Sequence, residues 1–188
     1  MANTGYFGGT TARSVDTAQH DYYATDPHAV EILLQNEKFN KDIWEPACGE
    51  GHISKVLEKH GYNVYSSDLI YRGFGDPESF DFLQETLENF EGDIITNPPF
   101  NLAEAFIRQA LMTVSDGRKV AMFLRFTFLS SQTRRDLFKV FPPKTIYLFS
   151  ARVECGKNGV FEGKKGVDYI WGVWEKGFKG DPIIKRVN

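Results

Sequence analysis

The chain has 188 residues, of which 41% are hydrophobic, and its formal net charge is −3 at pH 7. This length and composition predict one globular domain with a substantial core. The only two cysteines, Cys48 and Cys155, are too few for a disulfide framework or a zinc site, so we expect a reduced, cytoplasmic protein without a bound metal. No apolar run approaches the ~20 residues that a membrane-spanning helix needs, which excludes a membrane span.

Strand-like and helix-like segments alternate along the sequence. Residues 1–20 are small and polar and predict a mobile tail, so the domain is expected to span residues 21–188. The alternation predicts a mostly parallel sheet covered by helices on both faces, which is an α/β fold. The predicted strands are residues 42–45, 63–67, 92–96, 119–125, 145–149 and 168–175, and the predicted helices are residues 26–34, 52–60, 102–114 and 131–139.

The first of these strands leads into a turn that contains Gly49 and Gly51. Glycines let the main chain approach a ligand closely, and the N-terminus of the helix that follows offers unpaired N–H groups to a carboxylate. Asp68 ends the second strand, 17 positions after Gly51. An acidic residue at about this place binds ribose hydroxyls in nucleotide-binding βαβ units. The pattern therefore favours a nucleoside-containing cofactor.

Two features of this turn argue against a dinucleotide. The dinucleotide fingerprint has a third glycine where this chain has Ser54. Glu45, just before the turn, would fit poorly beside a pyrophosphate and better near a cationic cofactor without phosphates.

The segment Asn97-Pro98-Pro99-Phe100 follows a short apolar run that predicts a buried strand. Prolines fix φ and remove backbone donors, so the neighbouring carbonyls are presented in one geometry. The Asn97 side-chain oxygen and a backbone carbonyl can accept both hydrogens of a flat amino group, and Phe100 can stack on the base that carries it. A simple strand-ending turn is the alternative explanation.

Taken together, these segments resemble class I S-adenosylmethionine-dependent methyltransferases, specifically the DNA adenine-N6 type found in phages and prophages. The resemblance covers roughly residues 21–177. It implies a Rossmann-like fold with a mostly parallel seven-stranded sheet, a C-terminal antiparallel hairpin that pairs residues 168–175 with residues 145–149, and helices on both faces. It also implies S-adenosylmethionine as the cofactor.

The resemblance assigns roles to individual residues. Asn97, Pro98, Pro99 and Phe100 match the catalytic tetrapeptide. Asp81 is the implied acceptor for the amino group of the cofactor adenine. The implied cofactor-binding residues are Tyr23, Thr25, Pro27, Glu45, Pro46, Ala47, Cys48, Gly49, Gly51, Asp68, Asp81, Phe82, Leu83 and Asn97.

Charge is unevenly distributed along the chain. Residues 1–100 contain 6 basic and 17 acidic residues, a net charge of −11, whereas residues 101–188 contain 16 and 8, a net charge of +8. This asymmetry favours a polyanionic partner for the C-terminal half, although ordinary solvated lysines could also explain it. Lys157, Lys164 and Lys165, in a glycine-spaced loop, are the candidate nucleic-acid-binding residues.

The expected activity is methyl transfer to the N6 amino group of adenine in DNA. RNA adenine, a protein glutamine side chain, and a catalytically silent nucleic-acid-binding module remain as alternatives. Arg125 ends the predicted strand 119–125 and places a charge where related chains are apolar. The sequence assigns no role to this arginine and no oligomeric state to the chain.

Overall fold

The computed structural model describes residues 22–85, 88–163 and 166–188, and the predicted tail 1–20 lies outside these ranges. The described residues form nine strands, four α-helices and two short 3₁₀ helices. The strands are β1 (Tyr23–Thr25), β2 (Asp42–Glu45), β3 (Asn63–Ser66), β4 (Asp93–Thr96), β5 (Lys119–Arg125), β6 (Thr145–Phe149), β7 (Cys155–Lys157), β8 (Tyr169–Glu175) and β9 (Ile183–Val187). The helices are α1 (Pro27–Asn36), α2 (His52–Lys59), α3 (Ala103–Thr113) and α4 (Arg135–Val140), and the 3₁₀ helices cover Phe126–Ser130 and Gln132–Arg134.

Seven strands form one sheet in the order β3-β2-β4-β5-β8-β6-β9. Strand β8 runs antiparallel to both of its neighbours, β5 and β6. The other neighbouring pairs are parallel. The prediction of an α/β fold with a mostly parallel seven-stranded sheet and an antiparallel closing strand is confirmed.

Two hydrophobic clusters cover the two faces of this sheet. One packs α1 and α2 against the sheet, and the other packs α3 and α4 against the opposite face. Because successive side chains of a strand point to opposite faces, a central strand supplies both clusters. In β5, Ala121 and Phe123 belong to the first cluster, whereas Val120, Met122 and Leu124 belong to the second.

Two details of the predicted elements are wrong. The last predicted strand ends at residue 175, but β9 follows it and pairs parallel with β6 at the edge of the sheet. Four of its five residues are exposed, so β9 lacks the apolar pattern by which a strand is recognised in a sequence. The helix predicted to begin at residue 131 begins at Arg135, because Ser131 has extended backbone angles and a 3₁₀ turn follows it.

A second, two-stranded sheet pairs β1 antiparallel with β7. Tyr23 lies opposite Lys157, and Thr25 lies opposite Cys155. This small sheet joins the first described segment to the loop that precedes β8, and it brings both beside the end of β4. No β1 or β7 strand was predicted.

Candidate active site

A cavity of about 670 Å³ joins the glycine turn after β2 to the Asn97-Pro98-Pro99-Phe100 segment after β4. It lies at the carboxyl ends of the parallel strands, where open α/β sheets bind ligands. All four residues of the predicted catalytic segment line it. The predicted cofactor-binding residues that line it are Tyr23, Thr25, Glu45, Pro46, Ala47, Cys48, Gly49, Asp68, Asp81, Phe82, Leu83 and Asn97.

Two predicted cofactor-binding residues, Pro27 and Gly51, are not among the residues that line the cavity. Pro27 is the exposed first residue of α1. Gly51 precedes α2 with φ +77°, and a Cβ atom at this position would lie 2.4 Å from the Phe74 ring. Gly51 therefore supports the turn through its backbone conformation and the close packing of Phe74.

Asp68 holds the glycine turn in place. Its Oδ2 accepts a hydrogen bond from the Gly49 N–H (2.8 Å), and its Oδ1 accepts one from the Ile70 N–H (2.9 Å). Arg72 approaches the same carboxylate, with Nη1 at 3.3 Å from Oδ1. An ionised carboxylate has about four acceptor positions, two on each oxygen, so Oδ2 keeps one position for a ribose hydroxyl. Asp68 lines the cavity, and its role as a ribose acceptor stays a prediction.

Glu45 is the buried acid of the cavity wall and is only 1% exposed. Its Oε2 accepts hydrogen bonds from the N–H of Ser54 (2.9 Å) and from the Ser54 hydroxyl, whose oxygen also lies 2.6 Å from Ser66 Oγ. Burial raises the pKa of Glu45 to about 8, although the bonds from Ser54 act in the opposite direction. The serine that replaces the third glycine of a dinucleotide fingerprint therefore binds Glu45.

Thr25 Oγ1 and His52 Nδ1 are among the buried polar atoms that have no hydrogen-bond partner among the described residues. Both residues line the cavity. Burial lowers the pKa of His52, which favours the neutral imidazole. Buried polar atoms are normally satisfied, so these two fit a cavity that receives a polar ligand.

The cavity also contains the segment predicted to frame an adenine. Asp81 Oδ1 accepts a hydrogen bond from the Leu83 N–H (3.0 Å), which forms a tight turn. Phe82 is 2% exposed, and its ring meets Trp44 edge to face at 5.2 Å. The packing of Phe82 fixes the turn, and the side chains of Asp81 and Leu83 line the cavity beside it.

The Asn97 carboxamide is fixed by a contact that the sequence does not reveal. Its Nδ2 donates a hydrogen bond to the backbone oxygen of Tyr23 in β1 (2.7 Å) and lies 3.6 Å from Cys155 Sγ in β7. The amide nitrogen is thus occupied by the small sheet, which leaves Oδ1 as the acceptor available to a substrate.

Phe100 lies among aromatic and cationic groups. Its ring centroid is 5.2 Å from that of Tyr23 and 6.1 Å from that of Tyr169. The guanidinium carbon of Arg125 lies 4.4 Å from the Phe100 centroid. Arg125 lines the cavity although the sequence assigned it no role. A planar aromatic surface is therefore present next to Asn97, with a cation over it.

The two cysteines are not activated. Burial raises the pKa of Cys48 to about 12 and that of Cys155 to about 11. Both thiols are protonated at neutral pH and are poor nucleophiles. The geometry gives no support to a covalent mechanism through either residue.

Of the candidate nucleic-acid-binding lysines, Lys157 is exposed in β7, opposite Tyr23 at the cavity wall. Lys164 and Lys165 lie outside the described residues. Within the described ranges, no group of three or more His, Cys, Asp and Glu side chains is arranged to hold a metal ion. None of the helices in those ranges is both long enough and apolar enough to cross a bilayer.

Several cavity residues were not assigned from the sequence. They come from β1 and the residue before it, from the start of α2, from the loop after β3, from the region around α3 and from the end of β5. The residues concerned are Tyr22, Ala24, His52, Ile53, Leu69, Ile70, Arg72, Phe80, Asn101, Leu102, Phe106 and Arg125. Arg125 carried a signal in the sequence, namely a charge at the end of an apolar strand.

Three solved structures illustrate the similarity of the fold. A Listeria monocytogenes protein described provisionally as a class I S-adenosylmethionine-dependent methyltransferase has a TM-score of 0.57 and 16% identity, over 85% of this chain and 62% of that one. The M protein of the type I restriction enzyme EcoKI has a TM-score of 0.58 and 16% identity, over 84% and 44%. A Pyrococcus horikoshii protein described provisionally as an RNA methyltransferase has a TM-score of 0.57 and 15% identity, over 83% and 87%.

The chain spans less than two thirds of the length of the first two of these proteins. No protein-family model and no curated protein sequence matches it. The strand order and the similarity to these structures show that the chain has a Rossmann-like fold, which it shares with proteins described as methyltransferases.

Proposed function

We propose that this protein is an S-adenosylmethionine-dependent methyltransferase that acts on the N6 amino group of adenine in DNA. The observation that carries the proposal is the orientation of Asn97. Its amide nitrogen donates to the backbone oxygen of Tyr23 at 2.7 Å, so its side-chain oxygen is available to an amino group. The same cavity extends from Asn97 to Gly49 and Asp68.

The cavity residues fit S-adenosylmethionine part by part. Asp68 would accept hydrogen bonds from the ribose hydroxyls, and Asp81 would accept one from the adenine amino group. Thr25 and His52 would bind the amino-acid end, near the buried carboxyl group of Glu45. When bound, S-adenosylmethionine supplies the electrophilic methyl group, whose bond to sulfur breaks as the bond to the substrate nitrogen forms.

Asn97 and the Pro98 carbonyl then act on the substrate amine. The lone pair of an aromatic amine is delocalised into the ring, which makes the amine a poor nucleophile. Two acceptors that bind both N–H groups draw the nitrogen toward tetrahedral geometry and stabilise the positive charge that develops on it, a preorganised electrostatic effect. Phe100 would hold the base by stacking, which contributes ~1–3 kcal/mol per base in comparable sites. The nitrogen loses its proton to water after transfer.

A polynucleotide is the substrate class that the charge distribution favours. The half of the chain that follows Phe100 has a net charge of +8, and Lys157 is exposed at the cavity wall. Among the structurally similar proteins, one is the M protein of a restriction enzyme and another is described provisionally as an RNA methyltransferase. DNA is the proposed substrate, and RNA is the second candidate.

The experiment that tests the proposal is nucleoside analysis of DNA and RNA from cells that express the protein, paired with labelled methyl transfer in vitro. We expect N6-methyladenine in DNA. Asn97→Ala should reduce transfer by at least ~100-fold, as the removal of a preorganised acceptor commonly does. Its affinity for S-adenosylhomocysteine should stay within a few-fold of the wild-type value.

Asn101→Ala is the matched control, because Asn101 also lines the cavity but lies outside the tetrapeptide. It should retain most of the transfer activity. Methyl label in RNA alone would move the assignment to the second candidate, and label in protein glutamine would replace both. A large loss of S-adenosylhomocysteine binding in Asn97→Ala would contradict the role assigned to Asn97.

A further inference from the structure

Arg125 is the last residue of β5, and it differs from the rest of its strand. The five residues before it, Val120 to Leu124, are buried, whereas Arg125 is exposed. Its side chain lines the cavity beside Asn97 and Phe100. A charged side chain at the carboxyl end of a central strand lies on the face of the sheet where ligands bind.

The guanidinium group covers the aromatic surface that the proposed function assigns to the target base. Its carbon lies 4.4 Å from the centroid of Phe100. The Phe100 ring also faces Tyr23 and Tyr169. A base that stacks on Phe100 from the side of the cavity would therefore meet the Arg125 guanidinium first.

None of the ion pairs formed within the described ranges includes Arg125. Arg118, which precedes the other end of β5, shows the contrast. Its Nη2 lies 3.1 Å from Glu91 Oε2. Arg125 thus combines three properties of a ligand-binding arginine, since it is exposed, lines the cavity and has no carboxylate partner in the described part of the chain.

We propose that Arg125 binds the phosphate of the target nucleotide. In the free protein its guanidinium covers Phe100. When the target base stacks on Phe100, the guanidinium moves aside and pairs with the phosphate that belongs to the same nucleotide. This inference rests on the proposed function, because it takes the stacked ligand to be a base in a polynucleotide.

The chemistry of arginine suits both positions. A guanidinium group is planar and weakly hydrated, so it can lie on a ring, and its fork of N–H groups matches a phosphate. Base stacking is stronger than an exposed cation–π contact, so the target base can replace the Arg125 guanidinium on the Phe100 ring. The released charge then finds a phosphate partner, which couples the entry of the base to the binding of the backbone.

The deciding measurement is DNA binding, so failure of this inference can be told apart from failure of the proposed activity. Wild-type protein and the variants Arg125→Met, Arg125→Lys and Arg118→Met are titrated with random-sequence single-stranded and duplex DNA over a range of salt concentrations. Saturating S-adenosylhomocysteine is present, so that DNA bases cannot occupy the cofactor end of the cavity.

We expect Arg125→Met to bind DNA about tenfold more weakly and to lower the slope of log affinity against log salt by about one, because one phosphate contact is lost. Arg125→Lys should keep the slope with part of the affinity, and Arg118→Met should match the wild-type protein. In methyl transfer, Arg125→Met should raise the KM for DNA more than it lowers kcat.

A salt slope in Arg125→Met equal to that of the wild-type protein would overturn the inference, as would an equal loss in Arg118→Met. Failure of the wild-type protein to bind any polynucleotide would also overturn it. As a folding control, Arg125→Met should unfold at the same temperature as the wild-type protein. A difference in DNA binding between the two then reflects the lost contact and not a loss of folding.

Discussion

Glu45 links the titration of one side chain to the stability of the whole domain. It is buried at the end of β2, its hydrogen-bond partner Ser54 is buried, and so is Ser66, whose hydroxyl contacts that of Ser54. Burial without a cationic partner disfavours the charged form, which is why the pKa of Glu45 rises to about 8 in the folded protein.

This shift predicts how stability depends on pH. The folded pKa, about 8, lies above the ordinary value of 4.5, so the folded protein holds this proton more tightly than the unfolded chain does. The contribution of Glu45 to stability is therefore fully present below pH ~4.5 and is lost as the pH rises through about 8. We expect a loss of a few kcal/mol over this range, measured by urea unfolding at a series of pH values.

Glu45→Gln separates this effect from the other titrating groups. The glutamine amide retains an oxygen that can accept from Ser54 but does not titrate. The variant should therefore show a flatter stability curve between pH 5 and pH ~8 than the wild-type protein. Parallel curves for the two proteins would show that Glu45 is already ionised throughout this interval.

At the scale of elements, the pairing of β1 with β7 connects the cofactor end of the cavity to Asn97. Tyr22 and Thr25 line the cavity, and the Tyr23 oxygen holds the Asn97 amide. Next to the β1–β7 pair, the Asn158 N–H donates a hydrogen bond to the backbone oxygen of Tyr22 (2.9 Å). In antiparallel pairs, hydrogen-bonded residues alternate, so the Ala24–Gly156 pair is hydrogen-bonded as well.

Ala24→Pro tests this connection, because proline removes the N–H that Ala24 donates to the ladder. We expect methyl transfer to fall by about tenfold or more. A displaced Asn97 that raises the activation free energy by about 1.4 kcal/mol would slow transfer tenfold. Hydrogen exchange should increase in β7 as well as in β1. Ala24→Gly, which keeps the N–H, serves as the control.

Exchange that rises only in β1 would show that β7 keeps its structure by itself. Unchanged transfer in Ala24→Pro would show that the Tyr23 oxygen does not determine the orientation of Asn97.

At the scale of the whole molecule, the cavity is assembled from distant parts of the chain. Its walls include β1, the turn after β2, the loop after β3 and the ends of β4 and β5. A ligand that binds only when these parts are together stabilises the entire fold by mass action.

S-adenosylhomocysteine at about 100 times its Kd should therefore raise the free energy of unfolding by about 2.7 kcal/mol. Asp68→Ala should abolish this gain at the same ligand concentration, because it removes the proposed ribose acceptor. The measurement is chemical unfolding with and without the ligand.

Asp76→Ala is a matched control for this prediction. Asp76 Oδ1 accepts from the Glu78 N–H as Asp68 Oδ1 accepts from the Ile70 N–H, but Asp76 does not line the cavity. Both variants lose a turn-forming carboxylate, and only Asp68→Ala should lose the response to the ligand. The same ligand response in both variants would contradict the role of Asp68.

The sequence by itself determined which residues follow β2, β3 and β4. Parallel strands with helical crossovers place their carboxyl ends on one edge of a sheet. The turn at Gly49, the acid at Asp68 and the segment at Asn97 each follow a strand that the sequence predicted, so their meeting at one cavity could be predicted. Each of these patterns involves residues that are close together in the chain, so it can be recognised without the tertiary structure.

Only the tertiary structure decided the contacts between residues far apart in the chain. Tyr23 and Asn97 are 74 positions apart, and their hydrogen bond depends on a two-stranded sheet of three-residue strands. Strands this short and the exposed edge strand β9 form by pairing with a neighbouring backbone, and side-chain patterns do not encode such pairing. The position of Arg125 over Phe100 likewise depends on how the ends of β4 and β5 lie side by side, a spatial relationship that side-chain periodicity along one segment does not specify.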